Sequence, residues 1–344
     1  MFLAIPGSET KSLRDFQNGL MSTTRKFLFS GAIALLFIGI GAAQPWGWGG
    51  GRRGRGDMIA TEGGVWVDQT KVRTAREIAS HSTGTPEWTN PPPFAHDVFT
   101  FVRIIRDRDP EASPSAGSWI TDFPDSDLNL SFRLQQVTSL RVDANGRTLR
   151  LTDPDLFNYP WIYMVEPGGL SLREEEVPIL RRYLLNGGVL WADDFWGEWQ
   201  WRTFARQINR VLPGREFVEV DMTNQIFHCV FDIKVPKNKL QTPNAYQGMR
   251  SLDPNDRFFG ITWEMNHPRE GSWDRRDADP NECRNMHVRA LYDDKGRIMI
   301  IATHNCDNGD GWEREGEDDG FFHEFSEKRA YPLAVNVLFY LMTH

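Results

Sequence analysis

The sequence predicts an α/β fold: a doubly wound, mostly parallel sheet interrupted by a long, loop-rich insertion. Three observations predict it. The stretch "YPWIYMVEPGGLSLREEEVPILRRYLLNGGVLWADD" reads strand, helix, strand with short links, and such a βαβ unit implies parallel strands with a right-handed crossover. "WQWRTFARQINRVLP" and "YPLAVNVLFYLMTH" each place apolar residues along one helical face. "GRIMIIATHN" supplies a further strong strand over residues Ile298 to Ala302.

The compact domain is expected to begin at "DVFTFVRII", Asp97 to Ile105, a β-branched and aromatic run bounded by turn formers. Leu130, Leu134 and Val137 then recur at helical spacing, with Asp125 and Ser126 upstream as caps. "SLRVDANGRTLRLTD" reads as two short strands around an Asn145-Gly146 hairpin turn. Trp161 to Val165 is a continuous apolar strand. In the helix after it, Ser171 and Glu174 have capping-box spacing. Val177, Leu180, Leu184 and Leu185 make the buried face, and Gly187-Gly188 stops the helix. Pro178 requires that the helix start close to it or kink. The strand Val189 to Ala192 follows directly. Phe204, Ile208, Val211 and Leu212 share a face of the next helix, and "EFVEVD" and "IFHCVFD" read as strands. Pro236 to Cys283 is polar, proline-studded and loop-like. The closing helix has Pro332 in its first turn and a stripe of Leu333, Val337, Tyr340 and Leu341.

With 344 residues, 40% hydrophobic and 25% charged, the chain buries an ordinary globular core. Its net charge of −8 argues against a general nucleic-acid binder. Arg25 and Lys26 precede the apolar run Phe27 to Ile40, and Gly41-Ala42-Ala43 follows. That order of charge, apolar core and small-residue exit is a secretory signal, with Met21 as the favoured start and cleavage near Ala43. The run is short beside the ~20 apolar residues of a membrane span; the alternative is an uncleaved anchor in the inner membrane over residues 27–43. Either way the body is expected outside the cytoplasm, periplasmic or secreted, touching membrane only through that segment. The organisation expected is therefore 1–43 signal or anchor, 44–96 a Gly/Arg/Pro-rich linker and N-terminal extension, and 97–344 the α/β domain. Of Cys229, Cys283 and Cys306 at least one stays unpaired; export permits a Cys283–Cys306 disulfide, while a free buried thiol is the commoner outcome.

In such sheets ligands bind beyond the carboxyl ends of the strands. The strand Val189–Ala192 ends in Asp193-Asp194, and the strand Ile298–Ala302 ends in Thr303, His304, Asn305, then Asp307, Asp310 and Glu313. If both strands run the same way, these groups share one rim. Asp307, Asp310 and Glu313 suit Ca²⁺ or Mg²⁺ by donor type. Their spacing is not that of an EF-hand, no helix clearly follows, and short Asp/Asn/Gly loops are more often plain turns. Cys306 beside His304 lacks the small flanking residues of a nucleophile elbow. Asp193 and Asp194 are a base or ligand pair, or else a helix cap and a solvated neighbour. His228 reads as a structural histidine within a strand, and Glu313 to Asp319 as a solvated acidic loop. Trp191, Trp196, Trp199 and Trp201 are either core or a stacking wall for sugar or peptide.

The blocks "FNYPWIYMVEPGG", "LRRYLLNGGVLWADDFWG", "IFHCVFD", "GRIMIIATHNCDNGDGWE" and "YPLAVNVLFYLMTH", in this order, resemble the bacterial family called domain of unknown function 4159 over roughly Asp97 to His344. The resemblance implies a flavodoxin-like sheet similar to class I glutamine amidotransferases, in an exported or membrane-associated protein. It also implies a cysteine elbow after the strand that "GGVLWADD" matches, where this chain has Asp193 or Asp194; a carboxylate does not replace a thiolate in forming a thioester, so glutaminase activity is not expected. The leading expectation is a domain that binds a ligand or envelope partner through Asp193, Asp194, His304, Asn305, Asp307, Asp310 and Glu313. The alternative is a hydrolase, on carbohydrate or peptide, using Asp194 and His304 with or without a divalent ion. A third is a structural component of an envelope complex, contacting it through the Trp-rich surface.

Overall fold

Strands with apolar side chains on both faces organise the molecule, which is a computed structural model describing residues 57–91, 97–107, 117–265, 267, 279 and 281–344. The expected signal or anchor and residues 44–56 of the linker lie outside the described residues; among the described residues no helix is long and apolar enough to cross a membrane. An antiparallel ribbon of β1 (Met58–Ala60) and β2 (Trp66–Asp68) precedes the main sheet. That sheet contains β3 (Val102–Ile104), β4 (Arg147–Leu149), β5 (Trp161–Val165), β6 (Val189–Phe195), β7 (Val218–Glu219), β8 (His287–Tyr292) and β9 (Ile298–His304). Their spatial order is β4-β3-β5-β6-β9-β8-β7. The run from β4 to β9 is parallel throughout, and β8 and β7 close the edge antiparallel to their inner neighbours. The chain is thus α/β with a mostly parallel sheet, and the order of the five parallel strands is compatible with a flavodoxin-like fold.

Among the helices are α1 (Asp125–Val137), α2 (Glu176–Leu185), α3 (Gly197–Val211), α4 (Ala245–Leu252), α5 (Asn308–Glu313) and α6 (Tyr331–Thr343), the last continuing a π-helical stretch, Phe322–Ala330. The period of two along each strand sorts them into layers. Trp161, Tyr163, Trp191 and Ile301 pack with Leu130 and Leu134 of α1 and with Leu333 and Leu338 of α6. Their strand neighbours Ile162, Leu190 and Ile300 pack on the other side with Leu180 and Leu184 of α2 and with Phe204 and Ile208 of α3. Each such side chain contributes roughly 1.5–3 kcal/mol by leaving water, so covering both faces fixes which side of β6 and β9 every residue meets.

Several expectations are corrected. The flanks of Asn145-Gly146 do not form a hairpin. Val142 bridges Phe99 in parallel, and β4 continues beside β3. "IFHCVFD" is not a strand but a 3₁₀ turn, Gln225–Phe227, anchored where Asn336 of α6 accepts from the Val230 and Phe231 N–H groups; His228, beyond that turn, bonds Asp232 and the Met222 carbonyl. Helix α2 starts at Glu176, which puts Pro178 in its first turn. Glu176 rather than Glu174 reaches back, accepting from the Arg173 N–H at 2.9 Å. Asp125 lies inside the first turn of α1, and its carboxylate accepts instead from the Ser80 hydroxyl and the His81 N–H. The loop-like insertion contains α4, and β8 pairs with β9 where no strand was expected. Cys229, Cys283 and Cys306 are all free thiols. Residues 57–91 are built into the domain: Val67, Val72 and Ala75 pack with Ile105, Trp119 and Phe123, and the Thr148 hydroxyl donates to the Val72 carbonyl at 2.9 Å.

Candidate functional site

Strands β6 and β9 are parallel neighbours in register, Asp193 opposite Thr303, with a bulge between Asp193 and Phe195. Their carboxyl ends therefore open on one rim, and the end of β3 opens there too. Three aspartates occupy the passages from these strands into the helices that follow. Asp122 precedes α1, and its carbonyl accepts from the Ser126 N–H at 3.0 Å. Asp194 sits on the β6 bulge ahead of α3. Asp307 caps α5, its side chain accepting from the Asp310 N–H at 2.7 Å. One carboxylate oxygen from each of Asp122, Asp194 and Asp307 lies within 4.8 Å of the others. The three residues are only 1%, 6% and 3% exposed. Asp122 and Asp194 hold φ of 62° and 55°, a left-handed conformation that costs a non-glycine residue on the order of 1–3 kcal/mol and persists where the surroundings enforce it.

Burial pushes all three carboxyls well above the usual range, and neighbouring carboxylates push them further. Asp310, Glu313, Glu62 and Asp194 act on Asp122. Glu166, Glu264 and Asp193 act on Asp194; Asp194, Asp310, Asp122 and Glu264 act on Asp307. Asp194 Oδ1 accepts from the Trp196 indole N–H at 2.9 Å, whereas the buried Asp122 Oδ2 has no hydrogen-bond partner among the described residues. Asp122 Oδ2 lies against the Gly309 backbone, where a Cβ would come within 1.9 Å of it. Glu166, with its own φ of 45° at the end of β5, accepts from the Ser118 N–H and the Thr121 hydroxyl, and burial above all raises it to about 7.

The remaining candidates divide between a second cluster and the scaffold. Asp310 and Glu313 come within 4.8 Å of Asp122, but this group has cations of its own. Glu313 lies 2.7 Å from His81 Nε2 and 2.6 Å from Arg314 Nε, and Asp310 accepts from the Ala245 N–H. Burial and Glu62 push Glu313 up against the pull of Arg314 and His81; with two cations at contact distance the ion-paired state prevails. Glu313 is fully buried, not part of a solvated loop, and α5 follows β9 where no helix was evident. Asp193 ties β5, β6 and α5 together. It accepts from the Tyr163 hydroxyl at 3.0 Å, the Asn308 N–H at 3.1 Å, the Asn308 amide at 2.8 Å and the Thr303 hydroxyl. Asn305 accepts from the Gly197 N–H at 2.8 Å and donates to the Glu282 and Asn285 carbonyls. His304 faces the α3 layer: Nε2 meets the Gly197 carbonyl at 3.1 Å, and the ring packs on Phe195 and Trp201. Burial, and secondarily Arg289, keeps that imidazole neutral.

So the structure brings Asp194 and Asp307 together, sets Asp310 and Glu313 in an adjoining group, and commits Asp193, His304 and Asn305 to holding strand ends in place. Sequence reasoning missed Asp122, Glu166, Glu62 and His81. The signal for Asp122 was an aspartate directly ahead of the first helix after the first parallel strand. Trp191 is core, packed edge-to-face against Trp161, Tyr163 and Trp312, and Trp196 is buried beside Asp194.

No curated protein matches the chain. A family model described as "Domain of unknown function (DUF4159)" matches residues 101–342, from the start of β3 almost to the end of α6. Every strand of the main sheet and the three converging aspartates fall inside that match, and the chain belongs to the DUF4159 family.

Proposed function

We propose that the domain is an extracytoplasmic binding module, without amidotransferase activity, whose ligand presents positive charge to the carboxyl end of the sheet. The observation that carries this reading is the convergence of Asp122, Asp194 and Asp307 with their strongest charged neighbours also acidic. Burying one carboxylate costs several kcal/mol even after relaxation, and like charges at close range add to it. A bound cation offsets both. The position is the one where sheets of this order take ligands, the crevice beyond the carboxyl ends of the strands, here those of β3, β6 and β9. Export rests on the order of charge, apolar run and small residues over 25–43.

The likeness to class I glutamine amidotransferases would put the nucleophile in the tight turn after β6. Asp194 stands there with left-handed backbone, and it has no sulfur with which to form a thioester. Cys306 does not substitute, since its buried Sγ accepts from the Thr242 N–H at 3.3 Å and its pKa is pushed well up by burial. The placement of His304 in the α3 layer gives the Asp194/His304 hydrolase no support.

The test is a thermal-shift screen of the full chain with Ca²⁺, Mg²⁺, Mn²⁺, spermidine and a lysine-rich peptide, beside neutral sugars. Ligand binding to the folded state raises its melting point. At least one cation is expected to raise that of the wild type and to leave the Asp194→Asn/Asp307→Asn double variant unmoved. A shift seen only with neutral ligands and retained in the double variant would overturn the reading, as would ammonia release from glutamine.

A further inference from the structure

We infer that the positive ligand is a single divalent metal ion, coordinated by one carboxylate oxygen each from Asp122, Asp194 and Asp307; this rests on the reading of the crevice as a cation site. Distance is the first argument. Two oxygens bound to one Ca²⁺ at about 2.4 Å are at most about 4.8 Å apart, and the three oxygens meet that limit. A bare ion needs little room, and these residues, at most 6% exposed, offer little. The second observation is independent of the clustering. Asp122 Oδ2, in a residue 1% exposed, has no hydrogen-bond partner among the described residues, whereas buried carboxylate oxygens are ordinarily satisfied. A metal ion is the partner that would satisfy it.

The donor set narrows the ion. Three carboxylate oxygens suit a hard cation such as Ca²⁺, Mg²⁺ or Mn²⁺ in place of zinc, which favours nitrogen and sulfur. The adjoining group of Asp122, Asp310 and Glu313 is served by Arg314 and His81, so one ion suffices for both. Gly309 belongs to the same arrangement: only a residue without a Cβ lets Asp122 lie where it does.

The experiment is isothermal titration of Ca²⁺, Mg²⁺ and Mn²⁺ into EDTA-stripped full-length protein, with melting curves in parallel. One ion per chain is expected to bind wild type and raise its melting point. Asp122→Asn should weaken binding at least tenfold, yet melt no lower than wild type in EDTA, because one of three repelling buried charges is gone. Gly309→Ala, which displaces the Asp122 carboxylate without changing charge, should weaken binding as well. Absence of metal binding, or affinity indifferent to both substitutions, would overturn the inference. So would an Asp122→Asn protein that is markedly less stable than wild type in EDTA. If spermidine or the peptide binds and is lost in the Asp194→Asn/Asp307→Asn variant while no metal binds, the metal is wrong and the cation crevice stands. If nothing cationic binds, both fail.

Discussion

Replacing Arg103 with methionine is expected to destabilise the domain by about 3–5 kcal/mol, the cost of breaking one side of a buried ion pair. Arg103 is fully buried on β3. Its Nε donates to the two Asp127 oxygens at 3.0 and 3.1 Å, and Nη2 donates to Ser126 Oγ at 2.8 Å. Its Nη1 donates to the Trp119 and Thr121 carbonyls at 3.0 and 2.8 Å. Methionine fills the space but leaves Asp127 with only the Ser126 hydroxyl as donor, at 3.0 Å, and takes the Arg103 donors from both carbonyls; unmade buried bonds cost more than made ones contribute. In a domain of this size that is a fall in melting temperature on the order of 10 °C. Because Trp119 and Thr121 belong to the loop that delivers Asp122, cation binding should weaken along with stability. Adding Asp127→Leu to Arg103→Met removes the orphaned carboxylate and should recover part of the loss. A single variant within about 1 kcal/mol of wild type, or a double variant that is simply the sum of its parts, would show that Arg103 does not carry this loop.

How far the sequence discloses this arrangement follows from which interactions are local. β5, α2, β6, α3, β9 and α6 are legible because strands buried on both faces read as apolar runs and their helices as periodic stripes. The side-by-side placement of Asp194 and Asp307 follows from that alone. Two failures have a common cause. An Asn-Gly turn is a hairpin only if its flanks have no better partner, and β3 is the better partner for β4. Likewise Ile226 and Phe227 bury themselves against the α6 layer without any ladder. Helix α5 was invisible because "NGDGW" is poor in helix formers. Packing overrides propensity there: a Cβ on Gly311 would fall 2.5 Å from Ala330 Cβ, and one on Gly309 would strike Asp122. Asp122 itself reaches the site from a different strand end, a relation no local pattern carries. The orientation of His304 was available in principle: with Asp193 opposite Thr303, alternation sends the next residue to the other layer.

Stability should depend on His81 below about pH 10 and cease to do so above it. The His81 imidazole spans two carboxylates, with Nδ1 2.9 Å from Asp125 and Nε2 2.7 Å from Glu313. Burial works against its charge, but Asp125 and Glu313 override burial and raise its pKa from 6.5 to about 10. A histidine raised in the folded state contributes stability fully below its unfolded value, near 6.5, and loses it as pH rises through about 10. At about 1.36 kcal/mol for each pKa unit the ceiling is roughly 5 kcal/mol. With 16% of the side chain exposed, solvent screening brings this to about 2–3 kcal/mol. His81→Gln should therefore cost about that much at pH 6, and the gap from wild type should close as pH rises from about 6.5 to about 10 in urea titrations with EDTA present. Comparing the two proteins at each pH cancels the carboxyls of the crevice, whose raised pKa values make both less stable as pH climbs from the acid side. A gap that stays constant across that range would mean that His81 holds the N-terminal segment by shape alone, with Glu313 balanced by Arg314.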